Sequence, residues 1–181
     1  MEVIKETKLL GIMISNDLKW ACNTEFICKK AYKRIWSLRR TKILDIEPLI
    51  ILDVYEKEIR SILELAVPAW HSGITLKQSR DIERVQKVAV KIILSNPLTG
   101  RCEMPYDMAL VILNIEPLYI RREKLCRKFA KKTLNSRHSE MFHLNLSEHN
   151  TRNKAKFREY KSNTLRCHNS PINYLTRILN S

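Results

Sequence analysis

Only three glycines occur in the 181 residues, at positions 11, 73 and 100, and this scarcity excludes a good deal. A phosphate-cradling loop or a dinucleotide fingerprint needs clustered glycines whose backbone approaches the ligand, and none can be built here. Paired CxxC motifs are also missing, and the five cysteines (Cys22, Cys28, Cys102, Cys126, Cys167) are an odd number without a disulfide-framework pattern. The chain opens MEVIKETK, not with a basic-then-apolar leader, so the expected setting is intracellular, nuclear or cytoplasmic. No apolar run reaches the roughly 20 residues of a membrane span, because Glu64, Asp107 and Glu116 interrupt the longest candidates. No two aspartates are adjacent. Asp17, Asp45, Asp53, Asp81 and Asp107 stand singly, whereas two-metal phosphoryl transfer needs carboxylates close together. No metal site or bound cofactor is expected.

Positive charge is present in excess. The formal net charge is +14, and residues 119–166 carry 14 Lys and Arg against four glutamates, a balance of +10. Such a concentration attracts polyanions by counterion release, which makes an RNA, DNA or RNA–DNA hybrid backbone the expected partner. A solvated basic surface and an anionic membrane surface are the competing explanations; a membrane partner is not expected.

With 44% apolar residues there is enough material for a core, and the periodicity is mostly helical. Lys8 to Ile14 (KLLGIMI) reads as a small hairpin or edge element followed by a Ser15-Asn16-Asp17 turn. Both of its alternating sets are apolar, which asks for cover on both faces and suggests an absent amino-terminal neighbour. From about Asn23 to Thr41, Ile27, Ala31, Ile35 and Leu38 line one helical face. Lys29, Lys33 and Arg40 fall on another face with Trp36, and with Tyr32 and Arg39 at its margin. Rings set among cations can stack on bases while the cations hold phosphates. The alternative is that Trp36 packs against a neighbouring helix.

Pro48 suits a first helical residue, and Leu52, Tyr55, Ile59, Ile62 and Ala66 continue an apolar stripe to Pro68. Thr75 and Gln78 make a capping box for a helix over about 76–94, with Ile82, Val85, Ala89 and Ile92 inward and Arg80, Arg84, Lys87 and Lys91 outward. Pro105 starts a short helix through Leu113. Pro117 starts a longer one to about Leu134, with Leu118, Leu125 and Phe129 inward and Arg121, Arg122, Lys124, Lys128, Lys131 and Lys132 largely outward. Beyond Asn135 the sequence reads as an irregular basic arm with one helix over 171–179. His138, Glu140, His143, His149, Cys167 and His168 collect there but lack metal-site spacing. The expected fold is mainly α, with a short β element at 1–21, a helical region at 22–135 and a basic, partly disordered tail at 136–181.

Five segments together resemble a known family: TKLLGIMISNDLKW (7–20), SILELAVPAWHSGIT (61–75), DIERVQKVAVKIIL (81–94), LNIEPLYIRREKL (113–125) and RCHNSPINYLTRILN (166–180). They are similar to the carboxy-terminal part of reverse transcriptases from jockey-like non-LTR retrotransposons. The resemblance implies that 7–20 match the last palm strands and about 22–135 a thumb and the helical region after it. It also implies that the fingers, the Mg2+-binding palm aspartates and the endonuclease lie before Met1. The expected function is then non-catalytic template–primer binding, with the palm and fingers as a second partner. Phosphate contacts would come from Lys29, Lys33, Arg40, Arg80, Arg84, Lys87, Lys91, Arg121, Arg122 and Lys128, with Trp36 as a stacking residue and Gly11, Pro68 and Trp70 serving the fold. Residues 7–40 also resemble the region labelled the amino-terminal domain of the alkylated-DNA-repair homologue, a tRNA-modifying dioxygenase–methyltransferase. A helical interaction module is the remaining alternative.

Overall fold

A computed structural model describes residues 5–96, 99–144 and 156–181. The chain is mainly α, with two small antiparallel strand pairs. It divides into two compact units, Met1–Leu65 with Ile74–Arg121, and Ala66–Gly73 with Arg122–Ser181. The dividing point at Arg121 falls inside a helix, not at the boundary near 135 that composition suggested.

The first unit opens with the hairpin β1 (Glu6–Leu9) and β2 (Ile12–Ser15), in which Leu9 faces Ile12. Leu10 and Gly11 make the turn with φ of 47° and 88°. Two left-handed residues in a two-residue loop suit the strand twist, and glycine accepts the second at no steric cost. A Cβ at Gly11 would also stand 3.0 Å from Leu65 Cδ2. The apolar strands are covered on one side only. α1 (Ala21–Ile43) packs against β2, and every residue of β1 is exposed.

Ile27, Ala31, Ile35 and Leu38 of α1 are buried as the periodicity requires. The next stretch departs from an ideal helix. α2 (Pro48–Val54) widens into a π-helical segment at Tyr55–Arg60 before α3 (Ser61–Leu63) resumes the α form. The buried stripe is therefore Ile51, Tyr55, Ile59 and Leu63, spaced strictly by four, instead of Leu52, Tyr55, Ile59 and Ile62. In a regular α-helix a four-residue step drifts around the axis; a wider turn cancels the drift and keeps all four side chains on one face. After α4 (Val67–Trp70), α5 (Leu76–Ile93) starts at the expected capping box. Gln78 N–H donates to Thr75 Oγ1 at 3.2 Å and Thr75 N–H donates to Gln78 Oε1 at 2.7 Å. α6 (Tyr106–Ile112) packs against α5.

A buried polar chain fixes this unit internally. Tyr55 OH donates to Gln86 Oε1 at 2.6 Å, Gln86 Nε2 donates to Tyr106 OH at 2.9 Å, and Tyr106 OH donates to Glu83 Oε1 at 2.5 Å. Glu83 Oε1 also accepts the Leu118 N–H at 3.2 Å, so it caps the first turn of α7 (Leu118–Leu134). Burial raises both tyrosine hydroxyls well above their ordinary pKa and keeps them as donors.

The second unit corrects the expectation of an irregular arm. β3 (His143–Leu144) pairs with β4 (Phe157–Arg158), and α8 (Leu165–His168) and α9 (Pro171–Asn180) close the chain. Two asparagine amides imitate the backbone here. Asn173 accepts from Tyr160 N–H at 2.8 Å and donates to the carbonyls of Tyr160 and Cys167 at 3.2 and 3.0 Å. Asn180 accepts from Phe157 N–H at 3.0 Å and returns a bond to its carbonyl at 2.9 Å. Phe142, Phe157 and Leu175 are buried. Side-chain amides thus supply the ladder partners that such short strands lack.

Candidate nucleic-acid interface

α1 and α5 pack side by side within the first unit, and they run parallel. Residues from the first turns of both line one groove, and residues from the last turns of both line another. The amino-terminal groove, about 430 Å3, is lined by Lys29, Tyr32, Lys77 and Arg84 among others. The carboxy-terminal groove, about 1000 Å3, is lined by Arg39, Lys42, Lys91 and Arg101 with Asp45 and Glu103. Helical geometry sets the Lys29/Lys33/Trp36/Arg40 row on one side of this seam and the Arg80/Arg84/Lys87/Lys91 row on the other.

All eight of those side chains are exposed. Some are lightly engaged. Lys29 Nζ lies 2.5 Å from Glu25 and Arg84 Nη1 lies 3.2 Å from Asp81; solvated pairs of this kind contribute about 0–1 kcal/mol, so a phosphate can compete for the cation. Lys87 Nζ sits 4.9 Å from the Tyr106 ring centroid. Lys33, Arg80 and Lys91 carry no ion pair among the described residues. Trp36 is 65% exposed, with the Arg40 guanidinium 5.3 Å from its ring centroid, so the indole is presented to solvent between cations instead of packed on a helix.

Two expected contacts on α7 are corrected. Arg122 is fully buried, and no phosphate reaches it. Arg121 is half-buried and bonds Glu64 through two nitrogens, Nε to Oε1 at 2.5 Å and Nη2 to Oε2 at 3.2 Å. The Glu64 carboxylate raises the Arg121 pKa and satisfies the guanidinium inside the first unit. The inward face of α7 is Leu118, Arg122, Cys126, Ala130 and Thr133, rotated by roughly 60° from the face assumed on Leu118, Leu125 and Phe129. Phe129 is 43% exposed. Lys128 stays exposed, as do Lys131 and Lys132.

Sequence reasoning missed Lys77, Arg101 and Lys42 at the groove ends. Lys42 is partly committed, because its Nζ donates to the Ile93 carbonyl at 3.0 Å and caps α5. Lys77 stands in the first turn of α5 and Arg101 in the loop that follows this helix, places that a face-by-face reading passes over.

Among the described residues no group of three or more His, Cys, Asp or Glu is placed to hold a metal ion, and His149 lies outside them. Burial pushes the Cys126 thiol up to about 12, away from thiolate reactivity. No helix of the described residues is long and apolar enough to cross a membrane. No protein-family model matches the chain, and neither a curated protein nor a solved structure matches it.

Proposed function

We propose that this chain binds the sugar-phosphate backbone of RNA, DNA or an RNA–DNA hybrid along the α1/α5 seam, without a catalytic centre or cofactor of its own. One observation carries the reading: two exposed cationic rows flank a grooved seam on parallel helices, and an exposed tryptophan stands in one of them. The rows supply phosphate contacts, and Trp36 supplies a ring for an unpaired base. Lys128, Lys131 and Lys132 on α7 add an exposed cationic face to the second unit and a general attraction for polyanions. The sequence resemblance supports an origin in the carboxy-terminal part of a non-LTR reverse transcriptase, acting on template and primer inside the cell.

Fluorescence anisotropy with labelled RNA, DNA and hybrid tests this. With about five phosphate contacts, affinity falls roughly 10²–10³-fold between 50 and 200 mM salt and differs little between sequences. Affinity that ignores salt contradicts the reading.

The hairpin favours a second reading, a protein-interaction module. Leu9 is 57% and Leu10 90% exposed beside Leu65, which is 40% exposed. Its test is the same titration. A chain that binds no nucleic acid at low salt, yet self-associates or precipitates until Leu9 and Leu10 are made polar, supports the module instead.

A further inference from the structure

The two outer edges of the β1/β2 hairpin differ in what their backbone groups meet. The two-residue turn makes Leu9 and Ile12 a hydrogen-bonded pair, and such pairs alternate along an antiparallel ladder. Thr7 with Ile14 is then the next such pair and Lys5 with Asn16 the one after, in keeping with the Asn16 N–H bond to the Lys5 carbonyl at 2.9 Å. The backbone groups between them point away from the ladder, those of Met13 and Ser15 on one edge and those of Glu6 and Lys8 on the other.

On the β2 edge most of these groups find partners. Met13 N–H donates to Asn23 Oδ1 at 3.1 Å, the Met13 carbonyl lies 3.8 Å from the Cys22 thiol, and the Ser15 carbonyl accepts Leu18 N–H at 2.9 Å. The first turn of α1 thus closes this edge to another strand. On the β1 edge no hydrogen bond among the described residues reaches the N–H or carbonyl of Glu6 or Lys8, and the whole strand is exposed. An open row of this kind is a template for strand addition.

The side chains select the strand that fits. Pairing β1 with β1 of a second copy, antiparallel and centred on Thr7, sets Glu6 of each copy opposite Lys8 of the other. Both positions direct their backbone outward, so each such pair exchanges two backbone bonds, and Thr7 meets Thr7 across the twofold axis as a non-hydrogen-bonded pair. Opposite charges and Thr–Thr contacts stabilise cross-strand neighbours. Sliding by two residues either way sets Glu6 against Glu6 or Lys8 against Lys8, and like charges directly opposite are destabilising. Lys8 Nζ rests 5.3 Å from the Phe26 ring centroid, and neither Lys8 nor Glu6 has an ion pair among the described residues.

We infer that the β1 edge is a self-recognition surface, through which two copies of this chain join their hairpins into one continuous antiparallel sheet. This pairing deepens the reading of the hairpin as an interaction element, on which it rests, and holds with or without nucleic acid on the seam. Two short strands bury little surface, so the dimer is weak, with a Kd on the order of 100 µM.

Sedimentation equilibrium of the full chain at about 0.15 M salt tests it, since charges farther apart than about 8 Å are then screened and close pairs are not. The parent shows a reversible monomer–dimer equilibrium. Glu6→Lys alone and Lys8→Glu alone each weaken it at least tenfold, because like charges then face each other, and an equimolar mixture of the two variants recovers parent-like association. Chains that had merely misfolded would not recover on mixing. Thr7→Cys in a Cys167→Ser chain forms a 7–7 disulfide on mild oxidation, read by mass spectrometry of the linked peptides, because Cα atoms of such a pair stand about 4.5 Å apart. Glu6→Cys forms none, its two copies lying beyond the roughly 7 Å that a disulfide spans. A chain still monomeric at about 1 mM, tenfold above the expected Kd, overturns the inference. So does a dimer that ignores both charge changes, or a mixture no better than its components. If that dimer instead disappears when Leu9 and Leu10 are made polar, the hairpin associates through its apolar tip, and only the edge assignment falls.

Discussion

α5 and α7 look alike in the sequence. Each starts near a strong helix-opening signal and carries a row of basic residues opposite apolar ones. In α5 the row is exposed from Arg80 to Lys91, whereas on α7 Arg121 turns to Glu64 and Arg122 is fully buried. The difference lies in what each inward face can fit. Behind α5 stand Ile82, Val85 and Ala89, whose burial leaves only one rotation about the axis. On α7 the buried positions beyond Leu118 and Arg122 are Cys126, Ala130 and Thr133, small enough for close packing, and the larger Phe129 is left half outside. A basic row therefore marks a surface only where the opposite apolar face is large enough to fix the helix rotation.

The sharpest way to break this contrast is Arg122→Ala. Removing a fully buried guanidinium leaves a cavity and strands its partners, so the unfolding free energy should fall by about 3–5 kcal/mol in chemical denaturation. An effect below 1 kcal/mol returns Arg122 to the surface class. The matching change on α5, Arg80→Glu with Lys91→Glu, should leave stability nearly unchanged and reduce nucleic-acid affinity by about 100-fold, with the salt slope lowered by about two. Loss of folding in that variant would falsify the assignment of the row to solvent.

Smaller effects sharpen the same line. Arg121→Ala should cost about 1 kcal/mol by breaking a partly buried two-point pair, while anisotropy titrations show affinity within twofold of the parent. A tenfold loss of affinity restores Arg121 as a contact. His71 gives a signal that is absent at neutral pH and grows only in acid. Burial, reinforced by the charge of Arg122 and opposed by Glu123, lowers its pKa from 6.5 to about 4. Because the unfolded chain takes up this proton first, the stability contributed by neutral His71 is present above about pH 6.5 and is lost as pH falls towards 4. Thermal melts across that window should show the loss, and His71→Gln should remove its share of the slope.

Much of unit one was legible before the structure. Ile27 through Leu38, the Thr75/Gln78 capping box and the α5 row all follow from local periodicity and capping chemistry. What escaped was non-local. Nothing in the spacing around Tyr55 announces a π-helical turn, since the shift to Ile51 and Leu63 depends on which face the rest of the unit covers. Asn173 falls inside the helix expected over 171–179, where periodicity gives its side chain no partner, yet the amides of Asn173 and Asn180 hold Tyr160 and Phe157 across 13 and 23 residues of chain. Of the candidate site, the exposed rows were readable from helical faces, but the grooves arise from two helices far apart in the chain.

Lysine protection tests the central claim most directly. The full chain is treated with an amine-reactive reagent, alone and with an oligonucleotide hybrid at low salt, and modified lysines are read by mass spectrometry. The account predicts strong protection of Lys29, Lys33, Lys87 and Lys91 on the strand's addition, with Lys57, paired with Asp53 away from the seam, unchanged. Equal labelling of the four seam lysines with and without the hybrid would contradict it.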